Sequence, residues 1–149
     1  MSTKTATRTH DSELTAALRA RGQRVTSQRL ILHRTLRDLG RHTTAEELLR
    51  EAGDRLPGVS LPTVYATLEL FEELGVARRV EVGGGPVLWD PRAEDHQHFA
   101  CRRCGRVVDL DATVRADGAL RAARAAGHSP DTAQVVVVGL CDRCAAAAG

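Results

Sequence analysis

Residues 90–109, DPRAEDHQHFACRRCGRVVD, contain two kinds of metal ligand in one short segment. His96 and His98 are two positions apart, so on an extended strand both imidazoles project from the same face and form a chelating pair. Cys101 and Cys104 form a Cys-x-x-Cys motif, a spacing that lets a tight turn direct two sulfurs at one ion. The segment therefore predicts metal binding in the second half of the chain.

All four cysteines fall in two such motifs, Cys101/Cys104 and Cys141/Cys144. We expect the protein to be cytoplasmic and not to insert in a membrane, because the N-terminus has no signal-peptide core and no apolar run approaches a membrane span. In a reducing compartment, two such pairs predict a tetrahedral zinc–thiolate site rather than two disulfides. Four thiolates leave no open coordination position, so this zinc is expected to be structural. A thiol redox switch and an iron centre remain as alternatives.

The composition is that of an ordinary soluble globular protein, with 42% hydrophobic and 27% charged residues among 149. A chain of this length forms one domain or two small ones, and it buries roughly two thirds of its unfolded surface. The net charge of +2 does not by itself indicate a nucleic-acid partner. The motifs and their order therefore indicate function better than the composition does.

Cap residues and apolar periodicity predict four helices before residue 76. Residues 1–11 are polar and are predicted to form a flexible tail. The third helix is expected to begin with a capping box, in which Thr44 and Glu47 satisfy each other's backbone N–H groups. His42 precedes this box, and by position alone it is more typical of a solvent-exposed loop histidine than of a ligand. The predicted N-caps are Ser12, Thr26, Thr44 and Ser60.

A β-hairpin is predicted directly after the fourth helix. Residues 76–82 alternate apolar and polar side chains, three glycines follow, and residues 86–89 return. Short helices followed by such a hairpin are typical of a winged helix-turn-helix, in which the last helix enters the major groove and the wing approaches phosphates. We therefore predict that residues 12–89 bind double-stranded DNA. The predicted DNA contacts are Arg24, Ser60, Thr63, Tyr65, Thr67 and Arg78.

Residues 96–149 are predicted to form a small α/β dimerisation domain, joined to the first domain by a hinge at 90–95. The pattern predicts a hairpin around the Cys-x-x-Cys motif, a helix over about 113–126 and a strand in the apolar run 135–140. Such a run is typical of a strand covered on both faces, and a small domain has little to cover it with. A partner subunit would supply the cover, so we expect a homodimer and a palindromic operator. The predicted fold class is α+β.

The assembled motifs resemble those of the ferric uptake regulator family of metal-dependent repressors. The resemblance rests on residues 24–29, on Thr63, Val64 and Tyr65 with Leu68, on residues 95–98 and on the paired Cys-x-x-Cys motifs. It covers about residues 12–144. It implies an N-terminal winged-helix domain, a C-terminal dimerisation domain, structural zinc on the four cysteines and a sensing metal between the domains.

Within this family, the sensing ligands most resemble those of the peroxide-responsive branch. Asp90 is the discriminating residue, because iron- and zinc-uptake sensors more often have glutamate there. Three imidazoles and two carboxylates suit Fe²⁺ or Mn²⁺. The resemblance further implies that Fe²⁺ and peroxide oxidise His42 or His96 and relieve repression, whereas Mn²⁺ supports DNA binding without that chemistry. The implied ligands are His42, Asp90, His96, His98 and Asp109.

Other functions remain open. The protein could be an iron, zinc, manganese or nickel uptake regulator of the same family, without peroxide inactivation. A protein of another class would be a metal-dependent enzyme, but no separate general base or substrate-binding loop is visible, and we expect no catalytic residues. Ala133 stands where members with an additional metal site have histidine, so that site is expected to be absent or altered. The histidines outside any motif are expected to be structural or solvated: His10, His33 and His128.

Overall fold

The computed structural model describes residues 3–92, 94, 96–112 and 114–149, with the backbone alone for residues 3–7. It divides into two compact units, Met1–Ala93 and Glu94–Gly149. The mixture of helices and strands in both units confirms the predicted α+β class. No helix among the described residues is long and apolar enough to cross a bilayer.

The first unit consists of four helices followed by a two-stranded antiparallel hairpin, which is the order of a winged helix-turn-helix. Leucine side chains from all four helices, together with Phe71 and Trp89, form its core at no more than 1% exposure. The elements are α1 Thr3–Ala20, α2 Ser27–Leu39, α3 Ala45–Ala52, α4 Leu61–Glu73, β1 Arg78–Val80 and β2 Leu88–Asp90.

Three of the predicted helix caps are confirmed. The hydroxyls of Thr26 and Ser60 accept hydrogen bonds from backbone N–H groups at the starts of α2 and α4. At the start of α3, the Glu47 N–H donates to Thr44 Oγ1 at 3.1 Å and the Thr44 N–H donates to Glu47 Oε2 at 3.0 Å. This reciprocal pair is the predicted capping box, and it fixes the direction in which α3 leaves the preceding loop.

Residues 3–11 are helical rather than irregular and Ser12 does not cap the first helix, because α1 already begins at Thr3, whereas residues 1 and 2 of the predicted flexible tail lie outside the described residues. Ser12 lies inside α1, where its hydroxyl donates to the Thr9 carbonyl at 2.7 Å. Arg34 on α2 holds this helix, since its Nε lies 2.9 and 3.0 Å from the two carboxylate oxygens of Asp11. A bidentate pair of this kind is among the stronger side-chain contacts. Local sequence patterns do not reveal it, because its partners are 23 positions apart.

The second unit contains a three-stranded sheet with the strand order β4-β3-β5. β3 and β4 are antiparallel, with His98 opposite Asp109, and β5 runs parallel to β3. The predicted strand in the apolar run is confirmed as β5, although Val137 and Val138 are 47% and 61% exposed. Thr113, near the predicted helix start, lies outside the described residues. The elements are β3 Gln97–Cys101, β4 Val107–Leu110, α5 Asp117–Ala125, β5 Val136–Gly139 and α6 Asp142–Ala146.

A buried histidine lies in the core of the first unit. His33 on α2 is 2% exposed, and its ring meets Phe71 edge-on at a centroid distance of 5.4 Å. Neither ring nitrogen has a hydrogen-bond partner among the described residues. Burial lowers the pKa of His33 from 6.5 to about 4, and the positive charge of Arg37 acts in the same direction. The folded unit therefore holds this imidazole in its neutral form.

This histidine is expected to make the protein acid-sensitive. Because its pKa is lower in the folded state, its contribution to stability is complete above pH 6.5 and is lost as the pH falls towards 4. Between pH 7.5 and pH 5, it should lower the free energy of unfolding by about 2 kcal/mol. Urea unfolding at both pH values should show that this decrease in the free energy of unfolding is absent from the His33→Leu variant. His128→Leu, at an exposed position, is the control, and equal losses in both variants would contradict the prediction.

Candidate metal centres

Four cysteine side chains meet at one end of the sheet in the second unit. Cys101 ends β3, Cys104 follows in the turn, Cys141 precedes α6 and Cys144 lies on it. Their sulfurs all lie within 4.8 Å of one another, and Cys104 Sγ is 3.8 Å from Cys141 Sγ. Sulfurs bound to zinc at about 2.3 Å in a tetrahedron are about 3.8 Å apart. None of the four is in a disulfide, and their arrangement fits a closed zinc–thiolate site.

Backbone hydrogen bonds hold this cluster in place. The Cys101 N–H donates to the Arg106 carbonyl at 2.8 Å, and the Gly105 N–H donates to the Cys101 carbonyl at 2.9 Å. Gly105 has φ of +74°, a conformation that side-chain-bearing residues rarely adopt. Arg103 Nη1 donates to the Cys144 carbonyl at 3.2 Å and so ties α6 to the turn. The turn therefore presents both of its sulfurs to the second Cys-x-x-Cys motif.

The cluster also favours a thiolate. The backbone N–H groups of Cys104 and Cys141 lower the pKa of Cys101 to about 6. The pKa of Cys144 is raised, first because its thiol lies beside Cys141 and then because of desolvation. The unequal values are expected where several sulfurs share a small volume and one negative charge opposes the next. Zinc requires thiolate ligands, so a site that already ionises one sulfur is prepared for the metal.

Two histidines and one carboxylate form a second cluster in the same unit. His96 Nε2 lies 3.2 Å from Asp109 Oδ1, and His98 Nε2 lies 3.7 Å from the same oxygen. The two rings are 4.5 Å apart between centroids, which confirms that they project from one face of the strand. His96 and His98 are 5% and 1% exposed. Three potential ligand atoms therefore converge where two buried imidazoles meet a carboxylate that is exposed to solvent.

The orientation of His96 is set by the backbone. Its Nδ1 lies 2.7 Å from the Glu94 carbonyl, an oxygen that can only accept a hydrogen bond. The proton is therefore assigned to Nδ1, which leaves the lone pair of Nε2 directed at Asp109. Histidines that bind metals are commonly fixed in this way through the nitrogen that does not coordinate.

A corresponding pair lies in the first unit. His42 Nε2 is 3.2 Å from Asp90 Oδ2, and the two side chains are 8% and 4% exposed. Asp90 also accepts a hydrogen bond from the Arg92 N–H at 2.8 Å. The interpretation of His42 as a solvent-exposed loop histidine, made from its position alone, is therefore wrong. The loop is held by two backbone hydrogen bonds between Thr43 and Trp89, of 3.0 and 2.8 Å, which bring His42 next to the end of β2.

Comparison with known proteins identifies the family. Residues 20–137 match the ferric uptake regulator family. The chain belongs to this family.

Individual relatives within the family differ in what they sense. The peroxide-responsive repressor PerR of Staphylococcus epidermidis is 32% identical over 98 residues, which span 66% of this chain and 65% of that protein. The match thus covers slightly less than two thirds of the relative's length. A solved zinc-bound manganese uptake regulator is 28% identical with a TM-score of 0.60, over 85% of this chain and 97% of that chain. The ferric uptake regulator of Helicobacter pylori shares the fold, with 17% identity, a TM-score of 0.74 and 93% coverage of both chains.

In this member of the ferric uptake regulator family, the expected DNA-facing residues do not all lie at the surface. Thr67 is 6% exposed and its hydroxyl donates to the Thr63 carbonyl at 2.8 Å, which leaves little of this side chain for a DNA contact. Thr67 is three positions after Val64 and four before Phe71, which places it on the buried face of α4. Ser60 is exposed and its hydroxyl lies 2.9 Å from that of Thr63.

The other predicted DNA contacts are accessible. Tyr65 is half-buried on α4, and Arg24 is exposed before α2, where its carbonyl accepts from Arg29 Nη1 at 2.6 Å. Arg78 begins β1 opposite Asp90 in the hairpin register. Their roles on DNA stay predictions.

Proposed function

We propose that this chain is a metal-dependent DNA-binding repressor that senses peroxide through one regulatory Fe²⁺ or Mn²⁺. The observation that carries the proposal is the division of ligands into two incomplete sets. His42 and Asp90 form a pair in the first unit, and His96, His98 and Asp109 form a triplet in the second. Neither set alone supplies five ligands, whereas together they supply three imidazoles and two carboxylates, which suit Fe²⁺ or Mn²⁺.

A structural zinc on the four cysteines completes the metal complement in this proposal. Its closed coordination leaves it without a sensing role, so it stabilises the dimerisation domain, residues 96–149. The proposed DNA-binding domain comprises residues 12–89 together with the preceding residues 3–11 of α1, and residues 90–95 are the proposed hinge. Exposed Val137 and Val138 on β5 support a homodimer, since apolar strand residues of this exposure favour a partner surface. A two-fold dimer would bind a palindromic operator.

Ligation from both domains gives a switch. Occupancy of the regulatory site fixes the angle across the hinge and thereby the spacing of the two α4 helices in the dimer. Ligand binding shifts the conformational population only by the ratio of its affinities for the two conformers. A ratio of about 10⁴, or about 5.5 kcal/mol, moves the population from almost entirely inactive to almost entirely DNA-competent.

Peroxide sensing is supported by the similarity to PerR and by Asp90 at its ligand position. When bound, Fe²⁺ supplies one-electron reduction of peroxide and so generates an oxidant beside the ligand imidazoles. His42 and His96 are the proposed targets, because oxidation of either ring weakens its Nε2 as a ligand. Loss of one imidazole then releases the hinge and relieves repression.

The test compares two metals on the same protein. Zinc-loaded protein is given Fe²⁺ or Mn²⁺, and DNA binding is measured on a duplex selected from a random library, before and after low peroxide. Only the iron-loaded protein should lose DNA binding after peroxide. Only its peptides that contain His42 or His96 should show the added mass of oxygen. His10 and His128 serve as internal controls in the mass map, since both lie outside the ligand sets. Retention of DNA and unmodified histidines in both forms would exclude peroxide sensing.

A metal-uptake regulator is the second candidate. The similarity to a zinc-bound manganese uptake regulator favours it, and the same five ligands would serve. Its marker is metal-dependent DNA binding that survives peroxide with iron bound. The two candidates therefore share the switch and differ in the chemistry at His42 and His96.

A further inference from the structure

The start of α3 contacts the helix proposed to read DNA. The Tyr65 hydroxyl on α4 donates to Glu46 Oε1 at a distance of 3.1 Å. Glu46 is exposed in the first turn of α3, and Tyr65 is half-buried. This hydrogen bond raises the pKa of Tyr65, so the hydroxyl stays a donor. A carboxylate therefore holds the tip of an aromatic ring on the outer side of α4.

The packing of these two helices does not depend on this bond. Leu48 of α3 and Val64 and Leu68 of α4 are all fully buried in the same core. An exposed hydrogen bond beside such a core contributes little to stability, because water competes for both partners. Tyr65 is half-buried and packs against this core, and the hydrogen bond to Glu46 additionally fixes the position of its hydroxyl and so narrows its choice of rotamer.

The same short segment carries a proposed metal ligand. Glu46 follows His42 by four positions and lies within the Thr44/Glu47 capping box. Arg41 Nη1 adds a contact to Glu47 Oε2 at 3.2 Å. The segment that positions His42 therefore also positions the carboxylate that contacts Tyr65, through a fixed helix start rather than a flexible loop.

We propose that Glu46 is a positioning residue for DNA recognition and sets the discrimination between operator and other DNA. Its carboxylate holds the Tyr65 ring so that the apolar ring edge meets base edges, such as thymine methyl groups, in the major groove. Its negative charge also disfavours close approach to phosphates, which supply most sequence-independent affinity. This inference rests on the proposed function as a DNA-binding repressor.

The test measures two duplexes with each variant. One duplex is selected from a random library by the Mn²⁺-loaded protein, and the other has the same composition in scrambled order. Glu46→Ala should weaken binding to the selected duplex about tenfold and strengthen binding to the scrambled duplex about threefold. Glu46→Gln retains an acceptor oxygen, so its affinity for the selected duplex should stay within about twofold of wild type. Because it lacks the negative charge, its affinity for the scrambled duplex should still rise.

Tyr65→Phe tests whether Glu46 acts through the tyrosine hydroxyl. If it does, the double variant Glu46→Ala/Tyr65→Phe should bind the selected duplex no more weakly than the single variant with the lower affinity. Glu51→Ala removes an equal charge from the exposed side of α3 and is the matched control. Equal effects of Glu46→Ala and Glu51→Ala, or additive losses in the double variant, would overturn the inference. If the wild-type protein selects no DNA at all, it is the proposed function that fails instead.

Discussion

Replacing Cys101 or Cys141 by serine is expected to unfold the second unit and abolish zinc binding. Both residues are buried, at 2% and 7% exposure, and their sulfurs belong to the cluster of four that joins the turn to α6. Structural zinc contributes on the order of 10 kcal/mol to the folding of small domains. A unit with three short strands and two short helices has few other sources of that stability. The loss should therefore exceed that of ordinary core substitutions, which cost about 2–5 kcal/mol.

Zinc content, circular dichroism and hydrogen exchange of the second unit are the measurements. His128→Ser, at an exposed position in the same unit, should retain zinc and fold. The wild-type protein treated with a strong chelator under reducing conditions should behave like the cysteine variants. A folded zinc-free protein that forms disulfides on mild oxidation would instead support the thiol-switch interpretation.

The sequence predicted the elements whose determinants are local. The capping box at Thr44, the caps at Thr26 and Ser60 and the histidine pair each depend on residues within a few positions of one another. The zinc site was predictable for a different reason, because two Cys-x-x-Cys motifs with no spare cysteine leave few pairings. Patterns of this kind specify chemistry without specifying the path of the chain.

Long-range contacts account for the features that the sequence did not predict. The Asp11–Arg34 pair links α1 to α2, and the Thr43–Trp89 bridge holds the loop that carries His42. Thr67 was placed on the DNA face because of its polarity, although the helical period puts it on the buried face. α6 is only five residues long and has no side-chain cap, so no pattern marks it. The regulatory ligand set followed from the family resemblance, since spacing alone does not bring distant residues together.

Asp109→Asn is expected to abolish DNA binding at Mn²⁺ concentrations that saturate the wild-type protein. The carboxylate contacts both His96 and His98 through one oxygen, so its replacement by a neutral amide removes a charge and a preferred oxygen ligand from the proposed site. Loss of a ligand or of its close partner typically lowers metal affinity by 10- to 100-fold or more. Zinc content and the urea midpoint of the metal-free protein should be unchanged, as in the control Asp131→Asn.

Titration to high Mn²⁺ then separates two ways in which Asp109 can act. Bound Mn²⁺ shifts the populations of the two conformers by the ratio of its affinities for them. The absolute affinity sets only the Mn²⁺ concentration that is required. If Asp109 binds metal equally in both conformers, enough Mn²⁺ restores full DNA binding. If Asp109 contributes mainly in the DNA-competent conformer, saturating Mn²⁺ restores only part of it. Wild-type Mn²⁺ affinity in the variant would remove Asp109 from the ligand set, whereas incomplete rescue would identify this carboxylate as the source of the preference that operates the switch.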